Sequence, residues 1–370
     1  MIGTMRKYFI EYVLLVLFVT AGAHAAGAVA WPAQRDGLLF CVRSGIDDVI
    51  AFSADGAPIE SCKLAWSGKA WLDGAGGLRL KGGAFSAPAG DAFIAAQIQK
   101  SGAFSIEAEI CADDVTDERS AVILALRNDA GAAIELIQTR DALSLSWTPA
   151  GEHSMPARIG LFTIKAGEPA TVCLSYDGRQ VIAAMNAAGP VTKESGDWKL
   201  ATIARLKLTL GSGSGQHPWR GRMGAAAVFA RTLAAEEQQK DLRAMAEFQR
   251  SRNAPATLKF SGMLIEKSPA KTPQQIPGYD RSLSLYKYRV EKVLAGKYEK
   301  KSIIVAHWTM LDRTLLAFKD APLNERHTLE VEPMKDNKQL EHENQSDELD
   351  LDDSDMYFDA TGAALDFSRK

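Results

Sequence analysis

The sequence is short of several things, and each shortage excludes a class. It has no strong excess of charge, with 43 Lys and Arg against 46 Asp and Glu and a formal net charge of −3. That balance lacks the basic stripe of a nucleic-acid binder. Only one long apolar run occurs, near the N-terminus, and the mean hydropathy is −0.12, which excludes a multi-span membrane protein. Cysteine is scarce at four residues, and none sits at C-x-x-C spacing. The six histidines include no H-x-x-x-H pair, so a zinc site is not indicated. No G-x-S-x-G elbow is present to supply a nucleophilic serine. There is no internal repeat.

The chain is rich in turns. It has 30 Gly, 14 Pro and 46% hydrophobic residues over 370 positions, enough for two domains with cores of their own. Arg6 and Lys7 precede an apolar stretch, Tyr12 to Val19, and small residues follow, ending in Ala23-His24-Ala25. A basic start, a short apolar core and an A-x-A site read as a secretory signal peptide over 1–25, with a single N-terminal anchor as the alternative. Cleavage after Ala25 removes Arg6, Lys7 and Glu11 and changes the net charge from −3 to −4. The protein is then exported: periplasmic, at the cell surface or secreted.

Export gives Cys41, Cys62, Cys111 and Cys173 a meaning, because an even count in an oxidising compartment points to disulfides. In Phe104-Ser-Ile-Glu-Ala-Glu-Ile-Cys111 the apolar residues alternate, which puts Cys111 on the face of Glu107 and Glu109. Cys173 is likewise in phase with Thr171 and Ser175. Pairing of those two strands would put both thiols on one face. Cys41–Cys62 and Cys111–Cys173 is therefore the preferred connectivity, and buried free thiols are the alternative.

From Gly37 to about Val228 short alternating runs recur, such as Val122–Leu126, Ile134–Ile137, Leu143–Trp147 and Leu206–Leu210, separated by turns like Asn128-Asp-Ala-Gly131. Short strands at regular spacing predict a mainly β, two-sheet domain over 26–232. Helical periodicity appears after Thr232, a candidate N-cap, with Leu242, Met245 and Phe248 in a stripe. It predicts a linking helix within 233–255. Strands at Thr257–Ile265, Leu283–Leu294, Ile303–Trp308 and Thr328–Val331 predict a small OB-like β-barrel over 256–338. An acidic tail occupies 339–370.

The first domain resembles the LamG-like branch of the concanavalin A-like lectin/glucanase superfamily over about residues 37–240. The marks are Phe104-Ser-Ile-Glu-Ala-Glu-Ile110, Ala170-Thr-Val-Cys-Leu-Ser-Tyr-Asp-Gly178, and Leu210-Gly followed by Trp219-Arg-Gly221, Val228 and Leu233-Ala-Ala-Glu236-Glu237. The resemblance implies a two-sheet jelly roll that binds carbohydrate, or protein in some members. The chain departs from that pattern in carrying Glu109 where the family strand usually has an aromatic, and the calcium ligands of laminin G modules have no clear match. The segment Tyr286-Lys-Tyr288-Arg-Val290 to Gly296, followed by Ile303 to Trp308, is similar to C-terminal domains of exported bacterial proteins that also carry LamG-like modules.

Glu107 and Glu109 share a strand face, as the carboxylates of related glucanases do, but the central Asp and third carboxylate of E-x-D-x-E are missing. The expectation is solvated strand residues, not a glycosidase pair. Sugar binders stack rings on aromatic faces beside polar groups, and Trp147, Trp219, Arg220 and His217 are the ligand-binding candidates. His307, beside Trp308, reads as structural. The run Asp347 to Asp355 offers oxygen ligands for Ca²⁺, the one cofactor admitted here, but it fails the EF-hand pattern and reads as a solvated tail. Met356-Tyr357-Phe358 would dock its end. These observations favour a non-catalytic exported protein that binds a polysaccharide or cell-surface glycan. The competing readings are a polysaccharide-modifying enzyme and a protein–protein adhesion or scaffold module in an envelope complex.

Overall fold

In the computed structural model the chain is described over residues 31–43, 49–52, 58–59, 64–151, 155–200, 203–212, 217–252, 254–349 and 354–366. The signal segment and Cys62 lie outside them. The fold is mainly β, with three sheets and two α-helices among the described residues.

Alternation builds the first unit. Phe104, Ile106, Ala108 and Ile110 point into one core with Leu124, Leu126, Leu143, Leu145, Leu208 and Leu210 from the facing sheet, as two packed sheets require. One sheet runs 191–194, Gln180–Met185, Ala170–Tyr176, Phe104–Ala112, Arg220–Phe229 and Leu38–Val42, continuing to 49–52 and 58–59. The other runs Ala157–Thr163, Ala142–Thr148, Ala133–Thr139, Ala121–Arg127, Lys207–Gly211, Ala84–Ser86 and Ala65–Ser67. A helix not anticipated from the sequence, Pro88–Ser101, closes one end of this core with Ile94, Ala95 and Ile98.

The second helix, Ala235–Ser251, begins after Ala234, not at Thr232, whose hydroxyl donates to the Tyr176 carbonyl instead. It is more than a link. Leu242, Ala244 and Met245 pack on the outer face of the first sheet with Trp31, Leu38, Cys173, Ala225 and Ala227. A polar seam runs beneath it, where Gln238 donates to Ser175 at 2.9 Å.

The two cysteine strands do pair, antiparallel, but Cys173 lies opposite Glu107. Cys111 is four residues further along, roughly 14 Å at about 3.4 Å per residue, beyond the reach of a disulfide. Cys111 and Cys173 are accordingly unbridged.

The C-terminal unit is a closed five-stranded barrel. Leu258–Lys267, Ser282–Ala295, Ser302–Leu311, Met356–Phe358 and Arg326–Pro333 pair in a ring. Its closing strand comes from the segment read as an acidic tail, because Phe358 is fully buried against Trp308. The two units share more than a linker. Trp71, from a hairpin of the first unit, is fully buried among Leu283, Trp308, Phe358 and Leu365 of the barrel. Arg281 of the barrel stacks over Trp66 at 3.8 Å.

Candidate functional site

A cleft of about 930 Å³ opens where the outer face of the first sheet, the second helix and the barrel meet. Its floor is set by strand alternation. Glu109 projects from the sheet and is only 3% exposed. Opposite it the neighbouring strand bulges at Gly224, where a Cβ would lie 1.6 Å from Glu109 Oε2. Glycine is required there to leave room for the carboxylate.

Arg222 from that same strand bridges two carboxylates. Its Nε donates to Asp73 Oδ2 at 2.5 Å and its Nη1 to Glu109 Oε2 at 3.4 Å. Asp73 Oδ1 also accepts from the Gly77 N–H, which fixes the turn that carries it. Arg252, just past the helix, donates to the carbonyls of Gly224 and Ala75 and so ties the cleft edge to that turn. Arg79 pairs with Asp113 at 3.0 Å. Burial raises the Glu109 carboxyl above its ordinary value despite the opposing pull of Arg222 and Arg252. On the barrel side, burial and the Asp73 charge push Glu332 up to about 7. Burial and the Glu109 charge also raise the Cys111 thiol on the cleft wall, which disfavours the nucleophilic thiolate.

The wall carries as many carboxyl groups as guanidinium groups. The carboxylates Asp73, Glu109, Asp113, Glu330 and Glu332 face the arginines Arg79, Arg222, Arg243, Arg250 and Arg252. Small apolar residues such as Ala75, Pro169, Leu242 and Ala246 fill the space between them, and no aromatic ring lines the cleft among the described residues.

The solvated reading of Glu107 and Glu109 is overturned, since Glu107 is fully buried. The second helix and Trp31 cover it. Trp31 Nε1 donates to Glu107 Oε2 at 3.0 Å. The Asp241 carboxyl lies against Glu107, and together with burial it drives the Glu107 carboxyl well up. Asp241 accepts the Ala33 and Gln34 N–H groups at 2.7 and 3.1 Å, which opposes but does not cancel the burial that raises its own carboxyl. Both carboxyls are fully buried, and the raised Glu107 fits a proton held between the two.

The sequence candidates separate. His217, Trp219 and Arg220 line a second pocket of about 450 Å³. His217 Nε2 bonds to Asp117 at 2.6 Å. Trp219 is 1% exposed with its Nε1 donating to Gln138, so it offers no ring face. Trp147 is not part of that pocket and stacks on Trp198 in the sandwich core at 5.8 Å. His307 is fully buried in the barrel, between the Tyr288 hydroxyl at 3.0 Å and Asp359 at 3.1 Å. The Ca²⁺ candidates at 350–353 lie outside the described residues, and among those described no group of His, Cys, Asp and Glu is arranged to hold a metal. Reading the sequence missed Asp73, Arg222 and Glu332. They lie in three separate strands or turns, and only the tertiary fold brings them together.

No family model and no curated protein matches the chain. Among solved structures it is similar to domain 4 of AbnA, a GH43 extracellular arabinanase from Geobacillus stearothermophilus in complex with arabinotriose. That match has 14% identity and a TM-score of 0.42, and covers 56% of this chain and 100% of that one. A mutant of Trypanosoma rangeli sialidase displaying trans-sialidase activity matches at 13% identity and a TM-score of 0.40, over 57% of this chain and 33% of that one. A botulinum neurotoxin type C structure, from a toxin whose cell entry depends on interaction with two ganglioside molecules, matches at 9% identity and a TM-score of 0.45. It covers 76% of this chain and 72% of that one. Similarity at this level assigns the chain to no family.

Proposed function

We propose that this is an exported, non-catalytic binding protein that takes a neutral saccharide, as part of a polysaccharide or cell-surface glycan, into the cleft between its two units. The reading treats the first unit as a concanavalin A-like jelly roll of the LamG type, and the barrel as OB-like. One observation carries it: the cleft wall combines five carboxylates, five guanidinium groups and a small apolar floor. Sugar hydroxyls donate to carboxylates and accept from guanidinium N–H groups, while C–H faces rest on Ala, Pro and Leu. A polyanion would meet carboxyl groups beside arginines that Asp73, Glu109 and Asp113 already engage, so the wall favours an uncharged, hydroxyl-rich ligand. Asp73 and Glu109 are bridged by one arginine. That arrangement orients hydrogen-bond acceptors, whereas a glycosidase sets its acid and base on either side of the bond to be cut.

The test is calorimetric titration of the full chain with neutral and anionic oligosaccharides, beside Arg243→Ala and Arg250→Ala. Both arginines lie on the cleft rim and are exposed. Neutral sugars should bind, and the double variant should bind about tenfold more weakly, or about 1.4 kcal/mol. Exclusive binding of anionic sugars, or no sugar binding at all, rejects the proposal.

A further inference from the structure

We infer that the protonation state of Glu332 controls the cleft, through the junction where the barrel meets the turn at Asp73; the ligand half of this statement rests on the saccharide reading above. Glu332 lies on the barrel strand Arg326–Pro333, and its Oε2 is packed directly on that turn. A Cβ at Gly74 would come within 2.7 Å of it, so only glycine permits the approach. Oε2 is buried and has no hydrogen-bond partner among the described residues. An oxygen in that position is tolerated as part of a neutral carboxyl and is costly as part of a carboxylate.

Burial and two like charges favour the same state. Asp73 faces Glu332 from the turn and Glu330 from its own strand, while Arg222 from the sheet and the Asn337 side chain beyond the strand pull the other way without offsetting the burial. Arg222 is the one cation among them, and it is already engaged by Asp73 and Glu109. A negative Glu332 therefore adds a second carboxylate against Asp73 in a dehydrated space where Arg222 is already shared. The same turn is gripped elsewhere. Arg252 donates to the Ala75 carbonyl, and the Gln339 amide to the Leu72 carbonyl at 3.4 Å. Repulsion between Glu332 and Asp73 thus acts on the joint that holds the two cleft walls in register. Burial keeps the proton on Glu332 up to about pH 7. The joint is firm below the ordinary carboxyl value of 4.5 and loosens as pH rises through about 7.

Two measurements on the full chain test this between pH 5.5 and 8.5. The first is hydrogen-exchange protection of the Asp73, Gly76 and Gly77 amides, which are bonded within the turn, corrected for intrinsic exchange. The second is titration with maltohexaose, cellohexaose and xylohexaose. In the native chain, protection and affinity should each fall by about tenfold from the acidic to the alkaline end. In Glu332→Gln protection should stay at the acidic-end value across the range. Protection that is flat with pH in the native chain overturns the inference, as does the same fall in Glu332→Gln. A hexaose that binds with unchanged affinity across the range also overturns it. If protection follows the expected course and no hexaose binds at any pH, the switch stands and the saccharide reading fails.

Discussion

Replacing Glu107 with Gln tests the shared-proton reading of the pair beneath the second helix. In the native chain Glu107 accepts from Trp31 Nε1 and meets Asp241, which is held by two backbone N–H groups. The amide of Gln can accept from Trp31 through its oxygen and donate to Asp241 through its nitrogen, so every bond survives without a titrating proton. The magnitude follows from proton counting. Between the ordinary glutamate value of 4.5 and the raised value in the fold, the native state holds one proton that the unfolded chain has released. Stability therefore falls by about 1.4 kcal/mol per pH unit in that window and is greatest below it. Glu107→Gln removes this slope. The contribution of Glu332 is common to both proteins and cancels in their difference. Urea unfolding followed by tryptophan fluorescence at pH 5, 6, 7 and 8 gives the comparison. At pH 5 the two proteins should agree within about 1 kcal/mol, and the variant should be the more stable by pH 8. Glu107→Ala should instead cost about 3–5 kcal/mol, because it strands Trp31 Nε1 and leaves the Asp241 charge buried alone. Parallel pH curves for the native chain and Glu107→Gln would refute the shared proton.

Trp71→Ala should cost about 3–5 kcal/mol, and the loss should appear as weakened amide protection in the barrel strand Ser302–Leu311. A variant that unfolds only the first unit would contradict its place in the barrel core. Alkylation of the unfolded, unreduced chain should label both Cys111 and Cys173, whereas in the folded protein Cys173 should resist and Cys111 react slowly. Recovery of a linked Cys111–Cys173 peptide would contradict the observed register.

The strands were largely legible in the sequence, because one-sided burial writes itself as period-two alternation, clearest in Phe104 to Ile110. The helix Pro88–Ser101 was readable from Pro88 in its first turn, Asp91 near its start and Gly102 in the left-handed region at its end. Its apolar stripe of Ile94, Ala95 and Ile98 is short and diluted by scattered alanines. Glu107 misled for a related reason. Alternation shows which residues avoid the sandwich core, but not that a helix far along the chain covers the other face. The barrel's fifth strand was hidden because Met356–Phe358 is only three residues long and follows an acidic run. The cleft was the least legible part. Asp73, Arg222 and Glu332 are spread along more than half the chain, and no spacing rule connects them. The cysteine strands show the limit most sharply, since their pairing could be read from sequence and their register could not.

The burial of Trp71 in the barrel has a consequence for how the chain is made. Synthesis delivers Trp71 well before Leu283, Trp308, Phe358 and Leu365, the side chains that enclose it. Until the last of these emerges, the first unit must carry an unsheathed indole on an open hairpin, and the barrel lacks its closing strand as well. Interruption of synthesis, or expression of either unit alone, leaves matching apolar surfaces uncovered, the condition under which chains associate with one another instead of with themselves. The two units are thus made one after the other but completed together, by the segment that carries Phe358 and Leu365.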